Sequence, residues 1–275
     1  MAQGGFDGTG GIGVAVAQFA PGSDEASNLA AIRRLAETAS SRGARIVVFP
    51  EYSSFFADPL GESFVHASQP LEGSFVSSLS ALADELNLFV VAGLVETAPM
   101  GGKFQNTLVA VGPDVGLVAT YRKQHLYDAF GSKESDWVAA GSLDDPETFI
   151  VDGVTVGMQT CYDIRFPEVT RRVVDAGAEL VLVPSEWVRG PLKEHHWRTL
   201  LTARAIENTV YVAAADHVFP SGIALSLIVD PMGVAIAEAG EREGLAIGWI
   251  ESDRVDQVRR TNPALELRRY RVVPD

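Results

Sequence analysis

The stretch Val154-Thr155-Val156-Gly157-Met158-Gln159-Thr160-Cys161-Tyr162-Asp163-Ile164-Arg165-Phe166-Pro167-Glu168 joins an alternating apolar run to a polar, proline-containing exit, and it holds the only cysteine of the 275-residue chain. The alternation predicts a half-buried strand, and the residues after it predict a sharp turn into a helix. Nucleophilic side chains are often found at such turns, because the turn lifts them clear of the sheet and backbone N–H groups face them. A lone cysteine is also commonly a small buried hydrophobe, but these flanking residues favour a chemical role for Cys161.

Two further segments place a charged residue just after an apolar strand. Arg45-Ile46-Val47-Val48-Phe49-Pro50-Glu51-Tyr52 supplies a carboxylate, and Ala119-Thr120-Tyr121-Arg122-Lys123-Gln124-His125-Leu126 supplies a lysine. Together with the segment around Cys161, these motifs closely resemble, in residue type and in order, the nitrilase superfamily of carbon–nitrogen hydrolases. The resemblance extends from about Ile12 to the C-terminus.

The resemblance implies a role for each of four residues. It makes Glu51 the general base, Lys123 an electrostatic stabiliser and Cys161 the nucleophile. It also implies a second glutamate shortly after the lysine, and Glu134 fits that place, where it would orient Lys123 or the substrate amide. A solvated loop charge is the alternative for Glu134, because carboxylates are seldom buried.

These residue types suit the attack of a thiol on a carboxamide. An unperturbed thiol of pKa about 8.5 is only slightly ionised at neutral pH, so a base such as Glu51 has to accept its proton. The Lys123 ammonium and the backbone N–H of Tyr162 would stabilise the tetrahedral oxyanion, at roughly 3–4 kcal/mol per donor. Loss of ammonia or an amine leaves a thioester on Cys161, which water activated by Glu51 hydrolyses. The scheme needs no metal and no organic cofactor.

Arg165 is a candidate for substrate binding because it follows Cys161 by four residues. The planar guanidinium fork matches the geometry of a carboxylate. A structural ion pair with Asp163 or Glu168 is an equally open interpretation. The further predicted pocket residues follow the ends of predicted strands, although aromatic residues there could equally belong to the core; they are Tyr52, Tyr162, Glu186 and Trp187.

Among branches of the superfamily, the motif around Cys161 most resembles amidases that act on small ω-amides of dicarboxylic acids or on deaminated glutathione. We therefore expect a small-molecule amide as substrate, with nitrilase and N-carbamoyl amidase activities as alternatives. Ala224 and Leu225 stand where related amidases tend to carry a Gly-His or Gly-Arg pair before a serine. Because of this departure, the exact substrate of a related amidase cannot be assigned to this chain.

Composition and charge narrow the class of protein. With 36 acidic and 22 basic residues the formal charge is −14, which argues against a nucleic-acid partner because phosphate binding needs a basic surface. No uncharged stretch approaches the roughly 18 apolar residues of a membrane span. Residues 1–11 are glycine-rich and lack the basic start and apolar core of a secretory signal, so we interpret them as a flexible lead. A single cysteine permits no internal disulfide, which suits the cytoplasm.

Strands and helices alternate from residue 12 onward, as in an α/β protein, and we predict one domain over residues 12–275. The segment Gly43–Pro50 is echoed by Gly177–Pro184, each after a helix and each followed by an acid. Chance similarity of two buried strands could produce this echo, but two similar halves would cover such apolar strands on both faces. The resemblance implies the same architecture, a four-layer αββα sandwich of two mixed sheets with outer helices.

The apolar periodicity predicts the individual elements. Asp24 or Ser23 would cap the first helix and Gly43 would end it. The predicted strands cover residues 12–19, 45–49, 88–95, 107–111, 116–121, 154–160, 180–184, 210–215, 224–229 and 245–250, and the predicted helices cover 26–39, 75–86, 169–176 and 194–207.

Two other classes of function stay open at this level. A thiol enzyme could use His217 or His125 as the base of a Cys–His pair, and a non-catalytic oligomer could use the fold as a scaffold. His196 more readily holds a loop than binds a metal, because no second ligand lies at helical spacing. The resemblance implies a homodimer or higher homo-oligomer, for which residues 169–176 and 262–275 are the candidate interface.

Overall fold

A computed structural model describes residues 11–274, which form two sheets with helices outside them. The strands of this part of the chain are β1 Ile12–Gln18, β2 Ala44–Val48, β3 Phe89–Thr97, β4 Phe104–Gly112, β5 Gly116–Arg122, β6 Thr148–Val151, β7 Val154–Met158, β8 Leu180–Ser185, β9 Tyr211–Asp216, β10 Leu227–Val229, β11 Ala235–Glu238 and β12 Gly244–Ile250. Its helices are α1 Glu25–Ser41, α2 Glu62–Ala67, α3 Ser74–Leu86, α4 Pro167–Asp175, α5 Lys193–Asn208 and α6 Ser252–Thr261.

The two sheets share one strand pattern. The first has the order β12-β1-β2-β3-β4-β5 and the second the order β11-β10-β9-β8-β7-β6. Three parallel strands form the centre of each sheet, β1-β2-β3 and β9-β8-β7, and antiparallel strands flank them. The middle strands β2 and β8 belong to the two segments that echo each other, Gly43–Pro50 and Gly177–Pro184. This topology agrees with the predicted pair of similar halves.

Three apolar clusters separate the layers. The first lies between the sheets and includes Val16, Val91 and Leu182. The second joins the other face of the first sheet to α1 and α3, and the third joins the second sheet to α4 and α5. Central strands are therefore covered on both faces, which is why their sequences are almost continuously apolar. The predicted four-layer αββα sandwich is confirmed.

Local sequence determines where α1 begins and ends. The Asp24 side chain accepts a hydrogen bond from the backbone N–H of Ser27, which satisfies one of the free donors at the start of the helix. Gly43 follows the helix with φ +86°, a conformation that glycine adopts without steric cost. The predicted capping residue and the predicted terminator are both confirmed.

Four elements give little signal in the sequence. Strands β6 and β11 have four residues each and helix α2 has six, and all four residues of β11 lie outside the buried class, so no clear apolar alternation marks it. Helix α6 was also not predicted. The strand predicted to begin at Ala224 begins instead at Leu227, because Ala224 and Leu225 adopt left-handed φ angles of +60° and +57° that a strand cannot contain.

The predicted lead lies almost entirely outside the described residues, and the division of the chain into this lead and one domain stays a prediction. Between residues 11 and 274 no helix combines the length and apolar character needed to cross a membrane.

Candidate active site

Strand ends from both sheets bring the predicted functional residues together. Glu51 follows β2, Lys123 directly follows β5, and Cys161 lies just beyond β7. The amine Nζ of Lys123 lies 2.9 Å from Glu51 Oε1 and 3.0 Å from Glu134 Oε1. All four residues line one cavity of about 540 Å³.

Glu51 is hydrogen-bonded at both carboxylate oxygens. Its Oε1 accepts bonds from Lys123 and from the Asn106 side-chain amide, the latter at 2.6 Å. Its Oε2 accepts the backbone N–H of Glu186 at 2.7 Å. Three donors on two strands and a loop therefore hold this buried carboxylate in one orientation.

Glu134 is also buried, so the interpretation as a solvated loop charge is wrong. Its Oε1 accepts hydrogen bonds from the Tyr52 hydroxyl at 2.7 Å and from Asn106 at 3.2 Å, in addition to Lys123. Its Oε2 accepts the backbone N–H of Tyr127 at 2.5 Å. The hydroxyl of Tyr52, a predicted substrate-binding residue, thus binds Glu134.

The two carboxylates decide the charge of Lys123. Burial by itself lowers the pKa of this amine, but the adjacent Glu134 and Glu51 carboxylates outweigh burial and raise the pKa well above its ordinary value. Lys123 therefore carries its positive charge inside the protein at neutral pH.

The turn that carries Glu51 fits against β3 because β3 has a glycine there. A Cβ on Gly93 would lie 2.3 Å from the backbone nitrogen of Tyr52, far inside contact distance. Gly93 N–H donates to the carbonyl of Pro50, and Ser54 N–H donates to the carbonyl of Gly93. This close approach of two backbones positions Glu51 above the end of the sheet.

Cys161 begins a 3-10 turn, Cys161–Arg165, with a left-handed φ of +43°. Such a φ is uncommon outside glycine and is often found at functional sites. Burial raises the pKa of the thiol, and the charge of Glu51 raises it further than Lys123 lowers it, so the resting thiol is protonated. Its Sγ lies 3.4 Å from the carbonyl oxygen of Glu186. The backbone N–H of Tyr162 has no hydrogen-bond partner in the described part of the chain.

The histidines do not form a pair with the cysteine. His217 Nε2 donates to the Glu51 carbonyl at 2.6 Å, and its Nδ1 contacts the Ser221 hydroxyl. Burial lowers the pKa of His217 to about 4, so this ring is neutral at physiological pH. His125 Nδ1 binds the Asp163 carboxylate at 2.8 Å.

Across residues 11–274, no group of His, Cys, Asp and Glu side chains is arranged to hold a metal ion.

Arg165 lines the cavity, and the alternative of an ion pair with Asp163 or Glu168 is not observed; its guanidinium lies 3.4 Å from His196 Nδ1. Asp163 is instead occupied by Tyr121 and His125. The guanidinium carbon lies 4.9 Å from the centre of the Trp187 ring and 5.9 Å from that of Tyr162. The Nε of Arg165 is buried without a partner.

Glu186 and Trp187 follow β8 and line the same cavity. Burial raises the pKa of Glu186 well above its ordinary value, and the charge of Glu51 adds to that shift. Trp187 is held in place by two hydrogen bonds, from its backbone N–H to Asp216 and from its ring N–H to the carbonyl of Lys193.

A family model described as carbon-nitrogen hydrolase matches residues 13–260, a range that runs from the second residue of β1 into α6 and includes all the other strands. The chain belongs to this family. The enzyme is a carbon–nitrogen hydrolase of the nitrilase superfamily, as the resemblance of its three motifs predicted.

Individual relatives of this carbon–nitrogen hydrolase are amidases and nitrilase-superfamily proteins. A deaminated glutathione amidase from Escherichia coli is 39% identical over 257 residues, which cover 94% of this chain and 97% of the relative. The crystal structure of Saccharomyces cerevisiae Nit3, a member of branch 10 of the nitrilase superfamily, has a TM-score of 0.83 at 27% identity and covers 95% of this chain and 97% of Nit3.

A third relative carries information on chemistry. It is a Glu-to-Gln mutant of an amidase from Nesterenkonia sp. AN1, solved with acrylamide added to the active-site cysteine. Its TM-score is 0.76 at 27% identity, over 93% of this chain and 100% of that one.

Sequence reasoning missed two residues of this carbon–nitrogen hydrolase that the geometry brings into the site. Asn106 donates to both Glu51 and Glu134, and a polar residue inside the apolar strand β4 was the available signal. Lys193 lines the cavity from the start of α5, and nothing in its neighbourhood in the sequence distinguishes it from a solvated helix charge.

Proposed function

We propose that the enzyme is a cysteine-dependent amidase that hydrolyses small linear carboxamides of the ω-amide type to a carboxylate and ammonia. The observation that carries the proposal is the Lys123 ammonium, which two buried glutamates hold beside the only thiol of the chain. Nucleophile, base and cation converge in one cavity large enough for a small molecule.

In the first half of the reaction, Glu51 accepts the proton of the Cys161 thiol while Sγ bonds to the amide carbon. The electron pair of the carbonyl bond moves to oxygen, and the Lys123 ammonium and the N–H of Tyr162 stabilise the oxyanion. Because burial raises the pKa of the Cys161 thiol, proton transfer to Glu51 has to accompany the attack.

In the second half, the carbon–nitrogen bond breaks and ammonia leaves with the proton that Glu51 had accepted. A thioester on Cys161 remains. Glu51 then takes a proton from water, and hydroxide adds to the thioester carbon. The carbonyl bond re-forms as the carbon–sulfur bond breaks, and the proton on Glu51 passes to Sγ, which releases the acid and restores the thiol. Glu134 and Asn106 act as positioning residues for Lys123 and Glu51.

The known relatives support this chemistry. The Nesterenkonia amidase bears an acrylamide adduct on its active-site cysteine, which makes a nucleophilic thiol at the corresponding place reasonable. The Escherichia coli relative is named a deaminated glutathione amidase. For this chain we assign Arg165 to the carboxylate of the substrate, and Tyr162, Glu186 and Trp187 to the pocket walls.

The test compares the wild-type protein with Cys161→Ala on a panel of simple amides, ω-amides, a nitrile and an N-carbamoyl amino acid. Ammonia release and the intact mass of the protein are recorded for each compound. We expect ω-amides to be hydrolysed best, with an acyl adduct on the wild type and none on Cys161→Ala.

Other outcomes would contradict the proposal in different ways. A preference for the nitrile or the N-carbamoyl compound would move the enzyme to those branches of the superfamily. Ammonia release that survives Cys161→Ala would exclude the thioester route. Neither release nor adduct from any compound would favour the scaffold alternative.

We also propose that the chain forms a homodimer in the cytoplasm through α4 and the C-terminal segment. Arg268 of that segment forms an ion pair of 2.7 Å with Asp175 of α4, and large apolar side chains on both sides of it in the sequence are exposed, with Tyr270 at 90% and Leu267 at 69%. A Tyr270→Ser/Leu267→Ser variant should shift the mass measured by light scattering toward the monomer. A wild-type monomer at micromolar concentration would contradict the proposal.

A further inference from the structure

Lys193 is a buried cation without a carboxylate partner. Its side chain lines the active-site cavity, and the residue is 6% exposed. Its Nζ donates one hydrogen bond, to the hydroxyl of Tyr127 at 2.8 Å, and makes no ion pair with a carboxylate of the described residues. An ammonium has three N–H donors, so two of them have no acceptor among residues 11–274.

Aromatic rings surround this amine. The Nζ of Lys193 lies 4.3 Å from the ring centre of Phe130, 5.0 Å from that of Tyr127 and 5.6 Å from that of Trp187. Ring faces stabilise a cation by about 0.5–2 kcal/mol each in general, which is less than a buried charge loses on leaving water. The rings therefore hold the ammonium in place but do not compensate its charge.

A second cation faces two of the same rings. The Arg165 guanidinium lies over Phe130 at 5.6 Å and over Trp187 at 4.9 Å. Burial lowers the pKa of Lys193, and the neighbouring charge of Arg165 lowers it further, although the weaker influence of Cys161 and Glu186 opposes the shift. Two adjacent, partly buried cations repel each other unless an anion lies between them.

We propose that Lys193 and Arg165 together bind a carboxylate at the far end of the substrate, and that Lys193 thereby makes the enzyme selective for amides with an anionic group. This inference rests on the proposed amidase function and adds Lys193 as its specificity-determining residue. Arg165 would hold the carboxylate through its planar fork and Lys193 as a point charge, next to the rings of Phe130 and Trp187 that both cations face.

The opposite charges elsewhere in the cavity give the substrate one orientation. Glu51 and Glu134 repel a carboxylate from the neighbourhood of Cys161, whereas a neutral amide can enter there. The amide end therefore lies at the thiol when the anionic end lies at Lys193.

The test uses two amides of equal length, glutaramate with a terminal carboxylate and valeramide with a methyl group in its place. For Lys193→Met we expect the KM of glutaramate to rise about 10- to 100-fold with little change in kcat, since one charged hydrogen bond is lost. The kinetic constants of valeramide should stay within about twofold, which also shows that the variant is folded. Lys193→Arg should recover part of the loss.

The matched control is Lys133→Met. Lys133 lines the same cavity but is exposed and paired with Asp136 at 2.9 Å, so its removal should leave the ratio of the two substrates unchanged. An equal rise in the KM of glutaramate in both lysine variants would show that only the net charge of the cavity matters. That result would overturn the assignment of Lys193 as the specificity-determining residue.

Binding without turnover separates this inference from the proposed function. Calorimetry of glutaramate with Cys161→Ala should show affinity that falls about 10-fold or more when Lys193→Met is added, and the Arg165→Met and Lys193→Met losses should be non-additive, because both residues hold one carboxylate. Lys193-dependent binding without ammonia release from the wild type would overturn the amidase proposal and keep the anion site. Hydrolysis of both amides with no change in Lys193→Met would overturn the anion site and keep the amidase.

Discussion

Lys123 and Lys193 are two buried lysines of one cavity, at 2% and 6% exposure, and their pKa values move in opposite directions. Lys123 lies between two carboxylates, so its charge is compensated inside the protein. Lys193 has a phenol hydroxyl, three ring faces and a neighbouring guanidinium. Burial alone therefore does not determine the pKa of a buried amine. The charged and polar groups next to the amine decide the direction of the shift.

The difference suggests a division of labour. A cation that is compensated by the protein is ready before substrate arrives and stabilises charge that develops during the reaction. A cation without such compensation gains its partner when a ligand binds, which favours discrimination among ligands.

The largest effect is expected for Lys123→Met. It removes the oxyanion donor and leaves Glu51 and Glu134 facing each other without a cation, so kcat should fall on the order of 10³-fold. The free energy of unfolding should fall by about 3–5 kcal/mol, because a buried pair loses one partner. Lys193→Met should change the unfolding free energy by less than about 1 kcal/mol, since it removes a charge that has no buried partner. Activity assays and urea unfolding measure both.

A Lys123→Met/Glu51→Gln double variant provides the control. Removal of one carboxylate with the lysine should return part of the lost stability but none of the activity. Equal losses of stability in Lys123→Met and Lys193→Met would abolish the distinction between the two lysines.

His217 is a third buried base, and it needs no partner for a buried charge because it stays neutral. We expect an effect of intermediate size, on the pH dependence of the unfolding free energy. Its folded pKa of about 4 lies below the ordinary 6.5, so between these values the unfolded chain binds the proton and the folded chain does not. This contribution to stability is complete above pH 6.5 and is lost as the pH falls to 4, by about 3 kcal/mol. The difference in unfolding free energy between wild type and His217→Asn, followed from pH 7 to pH 4, should show this slope.

His66→Asn is the control for the histidine, because His66 has a side chain that is 75% exposed. Its unfolding free energy should follow the wild type throughout. A His217→Asn profile parallel to the wild type would show that His217 titrates normally in the folded protein.

The smallest effects distinguish two tyrosine hydroxyls, one in each lysine's surroundings. Tyr52 donates to Glu134, and Tyr127 accepts from Lys193. Tyr52→Phe should lower kcat about 10-fold for both glutaramate and valeramide, since it loosens the group that positions Lys123. Tyr127→Phe should instead raise the KM of glutaramate alone, by a few-fold. If both variants changed kcat equally, Tyr52 and Tyr127 would belong to one hydrogen-bond network, and the proposed distinction between them would be wrong.

The sequence predicted most of the sandwich because its central strands are covered on both faces and leave long apolar runs. It failed where elements are short or exposed, as at β11, and where backbone conformation overrides residue type, as at Ala224. Apolar periodicity reports burial, and neither case has a regular pattern of burial.

The residues of the candidate site likewise fall into those that the sequence predicts and those that it does not. Glu51, Lys123 and Cys161 were found because each directly follows a strand and belongs to a recognisable motif. Asn106 and Lys193 join the site through contacts between distant segments, and Lys193 meets the ring of Trp187 from the loop before α5 and the rings of Tyr127 and Phe130 from the segment after β5. The spacing of residues along the chain does not predict contacts between segments that are far apart in the sequence. These two residues are therefore recognised only from the structure.

The carboxylates around Lys123 also bear on the direction of turnover. The substrate brings a neutral amide to this corner, and hydrolysis converts it into an acid beside Glu51 and Glu134, whose two negative charges exceed the single positive charge of Lys123. The corner that accepts the amide therefore repels the acid. We therefore expect the acid to leave readily, and condensation of the acid with ammonia to begin from a complex that these charges disfavour.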